Sequence, residues 1–144
     1  MKTLLLGLAF AIGCGGKPAA TAPATPDRPL FERLGGQPAI NAVVHEFVEI
    51  TGNDPRISMY FANTDKAKLE KSMDDHICSI TGGGCTYTGK PMLAAHTGMK
   101  LRPADFDAFM DDLGKTLAKL NVPARETNEV LAAFKSMQAD VVGH

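Results

Sequence analysis

The sequence lacks tryptophan, has few aromatic residues and shows no excess of charge of either sign. Aromatic residues make up 6% of its 144 residues, which argues against an all-β sandwich. Lys and Arg number 15 against 16 Asp and Glu, without a basic block, so no nucleic-acid partner is expected. No apolar run reaches the roughly 20 residues of a membrane-spanning helix. The hydrophobic fraction of 44% instead predicts one small folded domain.

The N-terminus has the pattern of an export signal. Lys2 precedes an apolar stretch over residues 4–12, which is too short to remain as a membrane span. We therefore predict a signal peptide over residues 1–13. The stretch ends in AIGC at residues 11–14, which resembles a bacterial lipobox whose cysteine, Cys14, is lipidated. A plain secretory signal is the alternative, and both interpretations place the protein in the cell envelope or periplasm.

A linker is predicted to follow the signal peptide. Residues 14–29 hold four of the nine prolines and have no apolar period, which is typical of an extended, semi-rigid spacer. A diacylated Cys14 would anchor this spacer to a membrane, because two acyl chains bind far more firmly than one. The folded domain is then predicted over residues 30–144.

Two cysteines remain within the predicted domain, Cys78 and Cys85. An even pair in an oxidising compartment favours a disulfide, which would stabilise the domain by roughly 2.5 kcal/mol on the chain-entropy model. A metal or redox site of the CxxC type would need a second pair, which the sequence lacks. Two free thiols are the remaining alternative.

The spacing of apolar residues predicts helices throughout the domain. Apolar positions recur every three or four residues over segments 37–50, 65–80 and 90–97, after Pro103, and in one last helix through residue 141. Glycines separate these segments, and no alternating strand pattern persists. The predicted fold class is all-α.

One polar residue falls inside an apolar helical stripe. At about 100° per residue, His76 lies within about 20° of Leu69 on the helix predicted over 65–80, on the same side as Met73 and Ile77. Its imidazole is therefore expected to face the interior.

Five short motifs then point to one family. They are LFERLGG at 30–36, YFANT at 60–64, GG at 82–83, YTG at 87–89 and MLAAH at 92–96. Together they resemble the truncated haemoglobins of group I, from residue 30 to about residue 142. The resemblance implies a shortened, two-over-two globin fold that encloses haem b.

The resemblance carries the proximal iron ligand to His96. A neutral imidazole is the usual axial donor to haem iron, and His96 lies on a short predicted helix between glycines. His45 and His144 lack such a setting and are interpreted as surface or tail residues.

The resemblance also implies which side chains surround the haem. Phe61 matches the phenylalanine that packs against the ring in this family. The large apolar side chains expected against the ring are Phe47, Phe61, Leu69, Met73, Ile77, Met92, Leu93 and either Phe106 or Phe109. Lys68 and Tyr87 resemble positions near the haem propionates, where a cation or a hydroxyl would pair with the carboxylates. Lys68 is equally compatible with a solvated surface position.

The distal side departs from the family pattern. Group I members usually place a tyrosine at the position of Val48 and often a glutamine at that of Met73. These groups donate hydrogen bonds to bound dioxygen, and one bond of roughly 1–2 kcal/mol corresponds to about a tenfold to thirtyfold change in affinity. With Val48, Leu69 and Met73 instead, we expect fast release of dioxygen unless another side chain supplies the hydrogen bond.

His76 allows three interpretations. Its imidazole hydrogen-bonds the gas ligand, or it packs inertly at the haem edge, or it or Met73 serves as a sixth iron ligand suited to electron transfer. Met73 as an ordinary core residue is the simpler interpretation of that side chain.

The predicted function is reversible binding of a diatomic gas, dioxygen or nitric oxide, at haem iron. One alternative is nitric oxide dioxygenation or peroxidase-like chemistry, which requires an external electron donor because the sequence has no flavin or nucleotide motif. Others are a six-coordinate electron carrier or redox sensor, and a haem-free helical lipoprotein that binds a partner.

Overall fold

The computed structural model describes residues 28–144, so the predicted signal peptide, Cys14 and most of the linker lie outside the described residues. Within 28–144 the chain is helical and contains no strand, which confirms the all-α prediction. A short 3₁₀ helix spans Ser58–Tyr60. The α-helices are α1 Leu30–Leu34, α2 Gly36–Asn53, α3 Lys66–Ile80, α4 Met92–His96, α5 Pro103–Lys119, α6 Ala124–Lys135 and α7 Gln138–Val141. None of these combines the length and apolarity of a bilayer-crossing segment.

The break between α1 and α2 depends on two glycines. Gly35 has φ of 105° and Gly36 has φ of 71°, a left-handed backbone that side chains with a Cβ rarely adopt. A Cβ on Gly35 would also lie 3.1 Å from the Cβ of Ala39. The Gly35-Gly36 pair of the sequence motif therefore sets the direction in which α2 leaves α1.

The hydrophobic core lies where α2, α3, α5 and α6 meet. Helix α2 packs against both α3 and α5, and α5 packs against α6. The apolar stripe of α2 is buried there, as the three-and-four spacing predicted. The buried core residues are Ile40, Val43, Val44, Phe47, Val48, Ile77, Leu113, Leu117, Val130 and Phe134.

Helix α3 has a defined beginning and end. Its N-cap is Asp65, whose side chain accepts a hydrogen bond from the Lys68 amide at 3.2 Å. At its end, the Thr81 hydroxyl donates to the carbonyl of Ile77 at 2.6 Å, and Gly82, with φ of 84°, turns the chain away. These contacts define where α3 begins and ends, and its packing against α2 sets which of its residues face the interior.

A disulfide joins Cys78 on α3 to Cys85 in the following loop, as the sequence predicted, with Cα atoms 5.7 Å apart. Gly83 lies between them in a confined position. A Cβ there would lie 2.6 Å from the Cys78 sulfur and 2.6 Å from a ring carbon of Phe31. The loop that follows α3 is therefore fastened to the helix and packed against α1.

The prediction of one last helix was wrong, because the chain forms two. Helix α6 ends at Lys135 and α7 begins at Gln138. At the break, the Ser136 hydroxyl donates to the Ala133 carbonyl at 2.7 Å, and the Met137 amide donates to Phe134 three residues earlier. A side-chain hydroxyl that bonds to nearby backbone competes with the regular helical pattern, which accounts for the interruption.

Candidate functional site

His96 is held by its own helix. Its ring Nδ1 lies 2.7 Å from the carbonyl oxygen of Met92, one helical turn earlier. A carbonyl only accepts hydrogen bonds, so Nδ1 carries the proton and donates it. This hydrogen bond fixes the ring orientation and leaves the lone pair on Nε2 free to bind a metal.

The His96 ring lines a cavity of about 340 Å³ between α3, α4 and α5, which we name the α3–α4 cavity. This volume falls within the range of cofactor sites. Its lining comes from separate parts of the chain and is mostly apolar. The lining residues are Ile57, Tyr60, Phe61, Thr64, Leu69, Ser72, Met73, His76, Ile77, Tyr87, Met92, Ala95, His96, Met99, Leu101, Asp105, Phe106, Phe109, Phe134, Met137 and Val141.

Helix α3 supplies one wall of the cavity through the stripe predicted from its sequence. Leu69, Met73, His76 and Ile77 all lie in this wall, and Ser72 joins them. These residues follow helical spacing, so their side chains project from one face of α3.

The His76 imidazole packs edge-on against two aromatic rings. Its centroid lies 4.9 Å from that of Tyr87 and 6.3 Å from that of Phe134. Burial lowers the pKa of His76, which favours the neutral imidazole. Within residues 28–144 its ring nitrogens have no hydrogen-bond partner, so its polar atoms are available to whatever occupies the cavity.

Aromatic rings from α5 and α6 form another wall. Phe106 and Phe109 stack with centroids 6.2 Å apart, and Phe109 lies 5.8 Å from Phe134. Behind them, Phe47 packs edge-on against Phe109 at 4.8 Å. Such a surface suits a flat apolar ligand.

The two phenols of the cavity already have partners. The Tyr60 hydroxyl donates to Asp105 at 3.1 Å, and the Tyr87 hydroxyl donates to the Lys90 carbonyl at 2.9 Å. The Arg102 guanidinium and backbone amide bind the same Asp105 carboxylate and hold its pKa well below its usual range. These groups therefore stabilise the cavity walls.

Four predicted site residues do not line the cavity. Leu93, expected against the ring, is instead 46% exposed, because its side chain lies on the outer face of α4. Phe47 and Val48 are buried in the core at 1% and 3% exposure. The Lys68 side chain is 86% exposed and lies 3.6 Å from Asp65, at the surface. The position of Lys68 therefore agrees with the solvated interpretation. Tyr87 does line the cavity, but its hydroxyl donates to a backbone carbonyl.

The other predicted residues come together in the cavity: Phe61, Leu69, Met73, His76, Ile77, Tyr87, Met92, His96, and both members of the Phe106 or Phe109 alternative. The sequence interpretation missed several lining residues, among them Tyr60, Met99 and Met137. Tyr60 precedes Phe61 in the YFANT motif at residues 60–64, so its position next to an expected haem contact could have identified it. Met99 and Met137 reach the cavity from two separate turns, which periodicity along one helix does not reveal.

The helices and this cavity define a globin. Residues 29–142 match the bacterial-like globin family, and the chain belongs to that family. It is similar to the group 1 truncated hemoglobin of Tetrahymena thermophila, at 35% identity over 114 residues that cover 79% of this chain and 94% of the relative. The group 1 truncated hemoglobin of a Nostoc species is 33% identical over 113 residues, which cover 78% of this chain and 96% of the relative.

Solved structures agree with this assignment. The truncated hemoglobin of Tetrahymena pyriformis in its Fe(III) form superposes with a TM-score of 0.78 at 33% identity, covering 81% of this chain and all of that one. The 2/2 hemoglobin of a Synechococcus species, in the cyanomet state with covalently attached heme, gives a TM-score of 0.76 at 33% identity, covering 80% and 98%. The fold is therefore the two-over-two globin fold that the sequence predicted.

Family membership implies haem iron as the cofactor and binding of small gases. The residues of the α3–α4 cavity fit this group. The His96 Nε2 lone pair is the donor that iron requires, and the aliphatic and aromatic walls match the apolar faces of a porphyrin. When bound, the haem supplies an iron centre to which diatomic gases coordinate.

Proposed function

We propose that the protein reversibly binds a diatomic gas, dioxygen or nitric oxide, at a haem iron held by His96. The observation that carries this proposal is the hydrogen bond from His96 Nδ1 to the Met92 carbonyl inside an apolar cavity. It presents Nε2 in the form that coordinates iron and fixes the direction of the ring.

The test is a gas titration of the full chain loaded with haem. The ferrous protein is exposed to dioxygen, nitric oxide and carbon monoxide while its Soret band is recorded. The proposal expects a shift of the band with each gas that binds, and its reversal when dioxygen or carbon monoxide is removed. A ferrous spectrum that no gas alters would overturn it.

Rapid release of dioxygen is part of this proposal. Leu69 and Met73 give the α3 wall no hydrogen-bond donor at their positions, and the phenols of Tyr60 and Tyr87 are engaged elsewhere. Dioxygen held at a haem carries partial negative charge, which a donor would stabilise, whereas carbon monoxide carries little. We expect a fast dioxygen off-rate unless the unpartnered His76 imidazole donates to the bound gas, in which case His76→Phe releases dioxygen faster than the wild type.

A six-coordinate electron carrier or redox sensor is the second candidate, favoured by the unpartnered imidazole of His76. In that case the ferrous spectrum is six-coordinate without added gas and becomes five-coordinate in His76→Phe. A five-coordinate spectrum in both proteins excludes it.

Nitric oxide dioxygenation or peroxidase-like turnover at the same haem needs an external electron donor. Measuring nitric oxide consumption with and without an added reductase tests for the dioxygenase activity.

We also propose that the protein is exported and lipidated at Cys14. The support is the AIGC run at residues 11–14 and the Cys78–Cys85 disulfide, which is typical of oxidising compartments. The expected result is recovery of the full-length gene product in the membrane fraction with a lipid label, and loss of both in Cys14→Ser. A labelled or membrane-bound Cys14→Ser protein would contradict the lipid anchor.

A further inference from the structure

The α3–α4 cavity is rich in methionine. The chain has seven methionines, and all except Met1 fall within residues 28–144. Four of these six line the cavity: Met73, Met92, Met99 and Met137. They come from α3, from α4, from the turn after α4 and from the turn between α6 and α7. Tertiary folding therefore gathers their thioethers around one space.

Two of these methionines bracket His96. The Met92 carbonyl accepts the hydrogen bond from His96 Nδ1 at 2.7 Å, and the Met99 amide donates to the His96 carbonyl at 3.1 Å. The segment that positions the proposed iron ligand therefore carries a thioether on either side of it.

The thioethers are also the most readily oxidised groups of the cavity. The two cysteines of the domain are joined in a disulfide, and the chain has no tryptophan. The hydroxyls of Tyr60 and Tyr87 are hydrogen-bonded. A thioether sulfur reacts with a peroxide in one two-electron step and requires no deprotonation.

We propose that the cavity methionines are modification sites at which hydroperoxides form methionine sulfoxide. The sulfur lone pair attacks one peroxide oxygen, the O–O bond breaks and a sulfur–oxygen bond forms. The departing oxygen takes up a proton and leaves as water or an alcohol. The sulfur loses two electrons and the hydroperoxide gains them.

Oxidation of these methionines is a property beyond gas binding. It rests on the proposed function in one respect, namely that haem occupies the cavity. Haem held in the cavity would supply a Lewis-acidic iron. The four cavity thioethers would then be the oxidisable side chains nearest to a hydroperoxide that enters this space. Each sulfoxide makes an apolar wall polar, so oxidation at Met73 would also change the surroundings of a bound gas.

The experiment uses hydrogen peroxide and the haem-loaded full chain. Peroxide is added stepwise, and peptide mass spectrometry measures the fraction of each methionine that carries an added oxygen atom. Met59 is the internal control, because it is 61% exposed and lies outside the cavity. The proposal expects the four cavity methionines to be oxidised ahead of Met59. Oxidation of Met59 first would overturn it.

A parallel sample contains cyanide, which occupies the ferric iron without unfolding the protein. The proposal expects the order to reverse there, with Met59 oxidised ahead of the cavity residues. The same order with and without cyanide would contradict the role given to the cavity iron.

A pair of variants completes the test. After peroxide treatment, Met73→Leu is expected to carry one added oxygen atom fewer per chain than the wild type. Met110 lies outside the cavity lining, so Met110→Leu is expected to carry as many added oxygen atoms in its cavity peptides as the wild type. An unchanged oxygen count in Met73→Leu contradicts the assignment of that residue. A chain that shows no Soret band rejects the proposed function, whereas a normal band with Met59 oxidised first rejects this inference alone.

Discussion

The Nδ1–H of His96 donates to the backbone carbonyl of Met92 at 2.7 Å, so a hydrogen bond within α4 sets the tautomer of the proposed iron ligand. Helix α4 has only five residues, between Pro91 and Thr97. A helix this short has little stability of its own, so its position depends on contacts with its surroundings. Bound haem would supply one such contact through His96.

Replacement of His96 with alanine is expected to abolish haem retention on a desalting column, because the iron loses its axial nitrogen. Imidazole added to the buffer should restore part of the Soret band by filling the vacated position. His45→Ala is the matched control, since His45 is exposed and lies 3.1 Å from Glu70. Full haem retention by His96→Ala, unaffected by imidazole, would contradict the ligand assignment.

A donor placed on the α3 wall is expected to slow the release of dioxygen. In Leu69→Gln the amide hydrogen would stabilise the partial negative charge of bound dioxygen by roughly 1–2 kcal/mol, or about tenfold in the off-rate. Stopped-flow measurement of dioxygen and carbon monoxide dissociation checks this, because the carbon monoxide rate should change much less. Leu69→Met keeps a similar volume without a donor and serves as the control. Equal effects of glutamine and methionine would show that volume, not donation, controls the rate.

Removal of the Cys78–Cys85 disulfide is expected to lower the free energy of unfolding by about 2.5 kcal/mol, because the short closed loop no longer constrains the unfolded chain. Urea denaturation of the Cys78→Ser, Cys85→Ser double variant measures this. Tyr87, which packs on His76, lies in the loop between Cys85 and α4. Because this loop would be held less firmly without the disulfide, the optical spectrum of bound haem should also broaden. Wild-type protein treated with a dithiol reductant should behave like the double variant, and stability equal to that of the oxidised protein would refute the prediction.

Asp112 is expected to make stability fall as pH rises. The residue is 1% exposed, one carboxylate oxygen has no partner within residues 28–144, and burial raises its pKa above the ordinary 3.8. The folded state therefore binds this proton more tightly than the unfolded state does. Its contribution to stability is largest below pH 3.8 and is lost as pH rises through the folded pKa.

Asp112→Asn should remove this dependence. As pH rises from 3 to 7, the wild type loses the contribution of protonated Asp112 and the variant does not. The unfolding free energy of the variant is therefore expected to increase relative to that of the wild type over this range. Urea denaturation across that range provides the measurement. Asp111→Asn is the neighbouring control and should give the opposite slope, because Lys115 and Arg56 lower the pKa of Asp111. A difference for Asp112→Asn that is independent of pH would disprove the assignment.

Local sequence patterns determined the helices of this protein, except for the break between α6 and α7, and one face of its site. Apolar spacing places Leu69, Met73, His76 and Ile77 on the same side of α3, and the structure has them in one wall. Such positions follow from helical geometry within a single segment. The motif around His96 likewise identified the proposed iron ligand from residues that are close in sequence.

Tertiary structure decided which other segments complete the cavity. Met99 and Met137 reach it from separate turns. Val48, expected beside the haem, is buried in the core and is absent from the cavity lining. Periodicity specifies the buried face of each helix, but which buried residues meet a cavity depends on how several helices pack together, and that packing is a property of the whole chain.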